Sequence, residues 1–322
     1  MIPILGAFFM PINHITPAKL FLSIILAAFM KRLTRAYTEL HFAVFLFGFA
    51  AIFGDLIKVS ALSLVWWRLL LSVLLFSLVR SIYPELRKLT KQHIYIFLGI
   101  GVIISIHWVC FYGSIKLANA SVGLICFSAT PLFTALIEPI FMKTPWRKVD
   151  FIFGILIIPA MFFILSSLDF SMYQGVMVGI ISSFLAAVFN TLNKKYIDVT
   201  GPVTIFVVEM MGALLFLSVI IPIVYSIRHS GGFLPIGNDW IYLIALVTFC
   251  TMLAFVLQLR SLRHVSAFTS NFIVSLEPVY GILLAIFILK EHRELNTQFY
   301  IGVIILVFLQ LVYPLLKKSG KM

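Results

Sequence analysis

The sequence predicts an all-α integral membrane protein of ten transmembrane helices, arranged as two inverted five-helix repeats. Three observations predict it. The chain is 62% hydrophobic, 11% charged and has a mean hydropathy of +1.10, a composition that no soluble fold presents to water. Apolar runs of about 18 residues or more recur along it, and about 20 suffice to cross a bilayer core. Two proline-centred runs match one another 147 positions apart: KLANASVGLICFSATPLFTAL around Pro131 and RHVSAFTSNFIVSLEPVYGIL around Pro278.

Residues 1–35 are read as an N-terminal extension, of which 1–30 are assigned no functional role. Its apolar stretch Leu20–Met30 is too short to span and lacks the basic start and cleavage site of a secretory signal. The KRLTR that follows Met30 suits a cytoplasmic lead-in, so translation is expected to begin near Met30. A re-entrant or interfacial segment is the alternative reading. Spans are then expected near 37–57, 62–82, 94–113, 121–142 and 149–168, forming a first repeat over 36–170. Five more near 175–193, 203–227, 240–259, 267–289 and 298–316 form a second over 171–322. The alternating pattern of a β-barrel is absent.

The net charge of +12 sits in short loops between spans, which argues against a nucleic-acid partner. With both termini inside, inside segments carry seventeen of the 24 lysines and arginines. Outside loops carry five (Lys58, Lys116, Arg228, Lys290 and Arg293), leaving Lys19 and Arg68. That bias predicts cytoplasmic termini, in a multi-pass protein of a bacterial inner membrane. Cys110, Cys126 and Cys250 lie scattered within spans and read as small buried residues.

An odd number of spans per repeat turns the second copy upside down. Inverted repeats with a helix interrupted at the same place in each are the geometry of alternating-access transporters. Two further matches support the duplication: Val59–Phe76 with Thr200–Leu217, which sets Arg68 opposite Glu209, and Phe151–Phe163 with the stretch around Gly302.

SLEPVYGILLAIFILKE (Ser275–Glu291) and SATPLFTALIEPIFM (Ser128–Met142), with the closely spaced third/fourth and eighth/ninth spans, resemble the EamA-type members of the drug/metabolite transporter superfamily. The likeness covers roughly residues 36–316. The first copy departs from the pattern where Thr144-Pro145 replaces the Lys-Glu that follows the second. The resemblance implies ten helices and transport of small solutes. It implies no particular solute, since that superfamily handles amino acids, nucleotide sugars, vitamins and drugs.

Ionisable side chains inside spans are costly and point to function. Glu277 stands beside the Pro278 break, with Ser270 and Gly281 on its helical face and Asn271 and Ser275 on a neighbouring strip. It reads as a cavity wall able to carry a proton; capping the freed backbone or pairing with a fixed base is the alternative. Glu138 continues a stripe with Thr130 and Thr134 below Pro131. A gate or a pair with Arg147 or Lys148 stands beside substrate contact. Arg68, after Trp66 and Trp67, suits either a substrate carboxylate or an outward-snorkelling interfacial position. Glu209, its counterpart, belongs toward the cytoplasmic side. Ser105, Trp108 and Tyr112 share one face, offering either an aromatic wall or packing, with His107 beside it as a helix contact. Asn190 and Asn193 add amides.

Catalytic signatures, nucleotide loops and metal-ligand clusters are missing. No enzyme activity, cofactor or metal is expected. The reading is a secondary transporter, an exporter of small metabolites or amino-acid-like solutes with protons as the coupling ion. An uncoupled facilitator is the first alternative and a membrane-embedded enzyme on lipid-linked substrates a remote one. The expected partners are a small-molecule substrate and the lipid bilayer; a homodimer is allowed.

Overall fold

The computed structural model describes residues 17–80, 82–165, 170–227, 232–288 and 297–318, and among these every regular element is helical. Helix α1 runs unbroken over Pro17–Leu56. No glycine or proline interrupts it between Pro17 and Gly48, so Leu20–Met30 continues into the first span instead of standing apart as a re-entrant piece. Residues 1–16 of the expected extension lie outside the described residues, as do Arg228, Lys290, Arg293 and Lys321 of the charge count.

Helix α2 (Ala61–Ser77) begins at Ser60, whose hydroxyl accepts from the Ser63 N–H at 3.2 Å. It stops short of the expected 62–82. The Ser77 hydroxyl turns back to the Leu74 carbonyl at 2.6 Å and the Tyr83 hydroxyl takes the Ser77 carbonyl at 2.6 Å. A separate short helix α3 (Ile82–Lys88) follows, with Pro84 in its first turn, where no donor is needed.

Helix α4 (Lys91–Leu117) leads to the first broken pair, α5 (Ala120–Phe127) and α6 (Thr130–Met142). Helices α7 (Lys148–Leu165), α8 (Tyr173–Tyr196) and α9 (Pro202–Ile227) follow. Next comes α10 (Asp239–Ala245), a π-helical segment Leu246–Leu253 and α11 (Ala254–Leu262). The second broken pair is α12 (Ala267–Val274) and α13 (Glu277–Ile288), and α14 (Thr297–Lys318) ends the chain's regular structure.

The two breaks are built alike. Asn119 caps α5 through the Val122 N–H, and Ser266, 147 positions on, caps α12 through the Thr269 N–H. Ser128 and Ser275 then turn their hydroxyls to the carbonyls of Ile125 and Phe272 at 2.5 and 2.7 Å. Prolines at the next helix start cannot continue the backbone ladder, and these serines satisfy carbonyls that the break releases.

Seven helical stretches among the described residues are long and apolar enough to cross a membrane: Met30–Leu56, Lys91–Leu117, Ala120–Met142, Phe170–Tyr196, Pro202–Ser226, Asp239–Leu262 and Ala267–Leu284. Ala61–Ser77 and Tyr300–Tyr313 are shorter apolar helices. The expected count of ten is not reached: 62–82 and 298–316 are represented by the two shorter helices, and 149–168, whose last residues lie outside the described residues, is not among the seven.

The molecule is inside-out relative to a soluble protein. On α9, Leu215, Val219 and Ile223 recur every fourth residue and are 60%, 64% and 52% exposed, whereas Arg68, Glu209 and Glu277 are 3%, 0% and 5% exposed. Helices α4, α8 and α9 pack closely at the centre, α2 lies against α9, and α7 pairs with α14. The broken pairs interlock: α5 packs on α13, and α6 on α12.

Candidate functional site

A small cavity of about 50 Å³ lies inside the bundle, where α1, α2, α4, α8 and α11 meet the break ends of the two broken pairs. Arg68 and Glu277 stand in its wall, from opposite halves of the chain. His107, Trp108, Tyr112 and Asn190 line it too, so six side chains singled out from sequence meet here.

Arg68 faces inward, which rules against the snorkelling alternative. Its Nε donates to Thr251 Oγ1 at 2.6 Å and its Nη1 to Tyr112 OH at 2.8 Å. Its guanidinium carbon sits 3.7 Å from the Trp108 ring centroid, a cation–π position. Two of its five N–H groups are thereby fixed, and the plane is held by the indole. Thr251 reaches Arg68 because the π-helical turn places it there; its hydroxyl donates five residues back to Leu246 at 2.9 Å. Such turns recur at functional sites. No ion pair joins Arg68 to Glu277.

Aromatic rings supply most of the remaining wall, among them Phe111, Phe189 and Phe255. The 147-residue register links three facing pairs of lining residues: Trp108 with Phe255, Phe111 with Gln258, and Phe127 with Val274. Trp108 and Phe255 meet edge to face with centroids 6.4 Å apart. Applying that register to the third span would have found Phe255 and Gln258, which a search for charges passes over. No local signal marks Thr251.

Asn271 and Thr134 sit behind the wall in a buried polar ladder. Gln258 Nε2 donates to Asn190 Oδ1 at 3.3 Å, Asn190 Nδ2 to Asn271 Oδ1 at 2.5 Å, and Asn271 Nδ2 to Thr134 Oγ1 at 2.7 Å. The ladder crosses α11, α8, α12 and α6, tying both broken pairs to the cavity. Ser275 serves the backbone at the break. Pro131 and Pro278 start the second half-helices at these breaks.

Glu138 lies away from the cavity. It accepts from the Ala267 and Phe268 N–H groups at 3.0 and 2.7 Å, capping the N-terminus of α12, where a carboxylate is favoured. It pairs with neither Arg147 nor Lys148. Glu209 also lies off the cavity, fully buried, with the Asn193 amide beside its carboxylate. His107 Nδ1 lies 2.8 Å from both the Ser182 carbonyl and hydroxyl, a contact between α4 and α8. Among the described residues no three His, Cys, Asp or Glu side chains gather as a metal site would need.

Residues 35–166 and 173–313 match the family model described as "EamA-like transporter family". Over 300 residues the chain is 23% identical to the "Uncharacterized transporter YxxF" of Bacillus subtilis (strain 168), covering 90% of this chain and 93% of that protein. A solved crystal structure superposes with a TM-score of 0.64 at 14% identity, covering 91% of this chain and 99% of that one; this is a likeness of fold alone.

Proposed function

The chain belongs to the EamA-like transporter family, and on that premise we propose that it is a secondary exporter of small amino-acid-like solutes, working by alternating access across a bacterial inner membrane with both termini cytoplasmic. The observation that carries this reading is the pairing of Arg68 and Glu277 across one aromatic cavity with no ion pair between them. A buried guanidinium is suited to a carboxylate. A carboxylate among aromatic rings suits an ammonium group. A solute carrying both charges satisfies the two walls at once, and its apolar body lies against the phenylalanines.

The cycle rests on two inverted five-helix repeats rocking against one another. The reciprocal packing of α5 on α13 and α6 on α12, and the facing pairs in the cavity, support that duplication. In the coupled form, Glu277 is protonated in the empty, returning state and deprotonated in the loaded one, so a proton crosses for each solute. The neighbouring Arg68 favours a second reading, an uncoupled facilitator, because it already balances Glu277.

A thermal-shift screen of the purified chain against amino-acid-like solutes identifies the ligand, since binding to the folded state raises apparent stability. Transport of that ligand into proteoliposomes is then measured with and without an imposed pH gradient. Coupling predicts gradient-driven uptake that Glu277→Gln abolishes while the variant still folds. Transport by the wild type that ignores the gradient would show the facilitator instead.

A further inference from the structure

A strongly basic concavity lies outside the cavity. A groove of about 370 Å³ opens between the early part of α1, the end of α11 and the start of α9. Arg32 and Arg35 enter it from α1, Arg260 from α11 and Arg263 just beyond, with His264 beside them and Glu39 the one carboxylate in its lining. Glu39 is taken by Arg35, Nε to Oε1 at 2.8 Å. Arg263 Nη2 donates to the Thr200 carbonyl at 2.6 Å. Arg32 and Arg260 are exposed and have no hydrogen-bond or ionic partner among the described residues. The space they border is floored by Ala36 and Pro202, which are too small to fill it.

An ordinary solvated basic face spreads its cations apart. Here like charges converge from separate helices on one hollow, an arrangement that calls for an anion. Guanidinium forks match phosphate oxygens, and basic pockets between membrane helices on the cytoplasmic side bind phospholipid head groups. The α1 surface says which phosphate. Arg32, Arg35, Glu39 and Phe42 follow one another at three, four and three residues, so they form one stripe. Phe42 is 48% exposed one turn above the charges. On the neighbouring helix Leu253, two turns from Arg260, is 41% exposed. Ala43, Leu46 and Ala254, buried, hold α1 against α11. Apolar surface directly above a phosphate-sized basic hollow fits a molecule with a phosphate head and acyl tails.

We propose that this groove binds the head group of an anionic phospholipid, with its chains against the exposed Phe42 and Leu253. Both helices line the cavity, through Phe47 on α1 and Gln258 on α11. The lipid therefore staples together the two elements that border the cavity on this side.

The test uses the full chain in nanodiscs of phosphatidylcholine titrated with phosphatidylglycerol. Native mass spectrometry counts retained lipid and thermal melting reports stabilisation. The wild type should retain phosphatidylglycerol and melt higher. Arg32→Gln/Arg260→Gln should weaken its retention about 30-fold, at roughly a factor of five per removed arginine, while melting normally in pure phosphatidylcholine. Arg80→Gln/Arg87→Gln, which removes exposed charges from the α2–α3 region, should bind like the wild type. Equal binding by the groove variant and the wild type would overturn the proposal. So would equal losses in both double variants, which indicate general surface attraction, or an equal melting shift from inorganic phosphate alone, which indicates a soluble ligand.

Discussion

Gly101→Ala, set against Gly99→Ala, probes the helix crossing that closes the bundle beside Glu209. A Cβ on Gly101 would overlap the Glu209 carbonyl oxygen and stand 2.8 Å from its carbon and 3.0 Å from the Ala213 nitrogen. All of these atoms are backbone, so no side chain can rotate away. The α4–α9 pair has to part by about 1 Å, and a gap of 0.5–1 Å forfeits a quarter to a half of the dispersion well for each contact across it. Overpacking of this kind costs about 1–3 kcal/mol, and rigid neighbours place it at the upper end, about 3 kcal/mol. A Cβ on Gly99, two residues away, meets nothing within 4 Å. There the change gains about 0.5–1 kcal/mol from lower backbone entropy. At about 2 °C per kcal/mol for a chain of this size, Gly101→Ala should melt about 6 °C below the wild type, and Gly99→Ala at or slightly above it. Differential scanning fluorimetry in one detergent measures both. Equal shifts for the two variants, or no shift for Gly101→Ala, would refute the close approach of α4 to α9.

Asn271→Ala removes the middle of the polar ladder and leaves Asn190 Nδ2 short of a partner, while the Thr134 hydroxyl keeps its bond to the Thr130 carbonyl; a loss of about 1–3 kcal/mol is expected from the buried unsatisfied group, read as a melting shift. Trp108→Ala removes the ring that holds the Arg68 guanidinium; it should cost about 2 kcal/mol or more and weaken binding of carboxylate-bearing solutes, measured by isothermal titration. Glu85 is held below the ordinary carboxylate range chiefly by the Thr204 hydroxyl, then by the Gly201 N–H and the Thr200 hydroxyl, against an opposing effect of burial. Its folded-state value is depressed, so its stabilisation is full above the unfolded value of about 4.3 and is lost as pH falls through the lowered one. Glu85→Gln should therefore melt below the wild type at pH 7, and the gap should close in acid; a gap that persists there would show that the carboxylate charge is not what caps α9.

Much of the architecture was legible because lipid imposes a strict rule on sequence. Every backbone polar group in hydrocarbon has to be satisfied, yet Pro159 and Pro222 stand inside unbroken helices, so it was the repeat of the surrounding residues, not proline alone, that marked the breaks. Pro131 and Pro278 could thus be read in advance, together with the 147-residue register between them. Where a helix is uniformly apolar the boundaries were harder to read. The second span ends at Ser77 through side-chain hydrogen bonds that hydropathy does not register, and α1 runs through KRLTR because nothing there interrupts a helix.

Sequence alone determined that the chain is a helical membrane protein, that it is duplicated, and that costly charges at Arg68, Glu138, Glu209 and Glu277 require a reason. Only the tertiary structure decided which of these charges share a cavity. Helical spacing fixes which way a side chain points from its own axis, but its neighbours depend on the rotation and depth of other helices. That is why Arg68 and Glu277, 209 positions apart, face the same space, while Glu138 caps a helix end and Glu209 is buried away from that space beside Asn193.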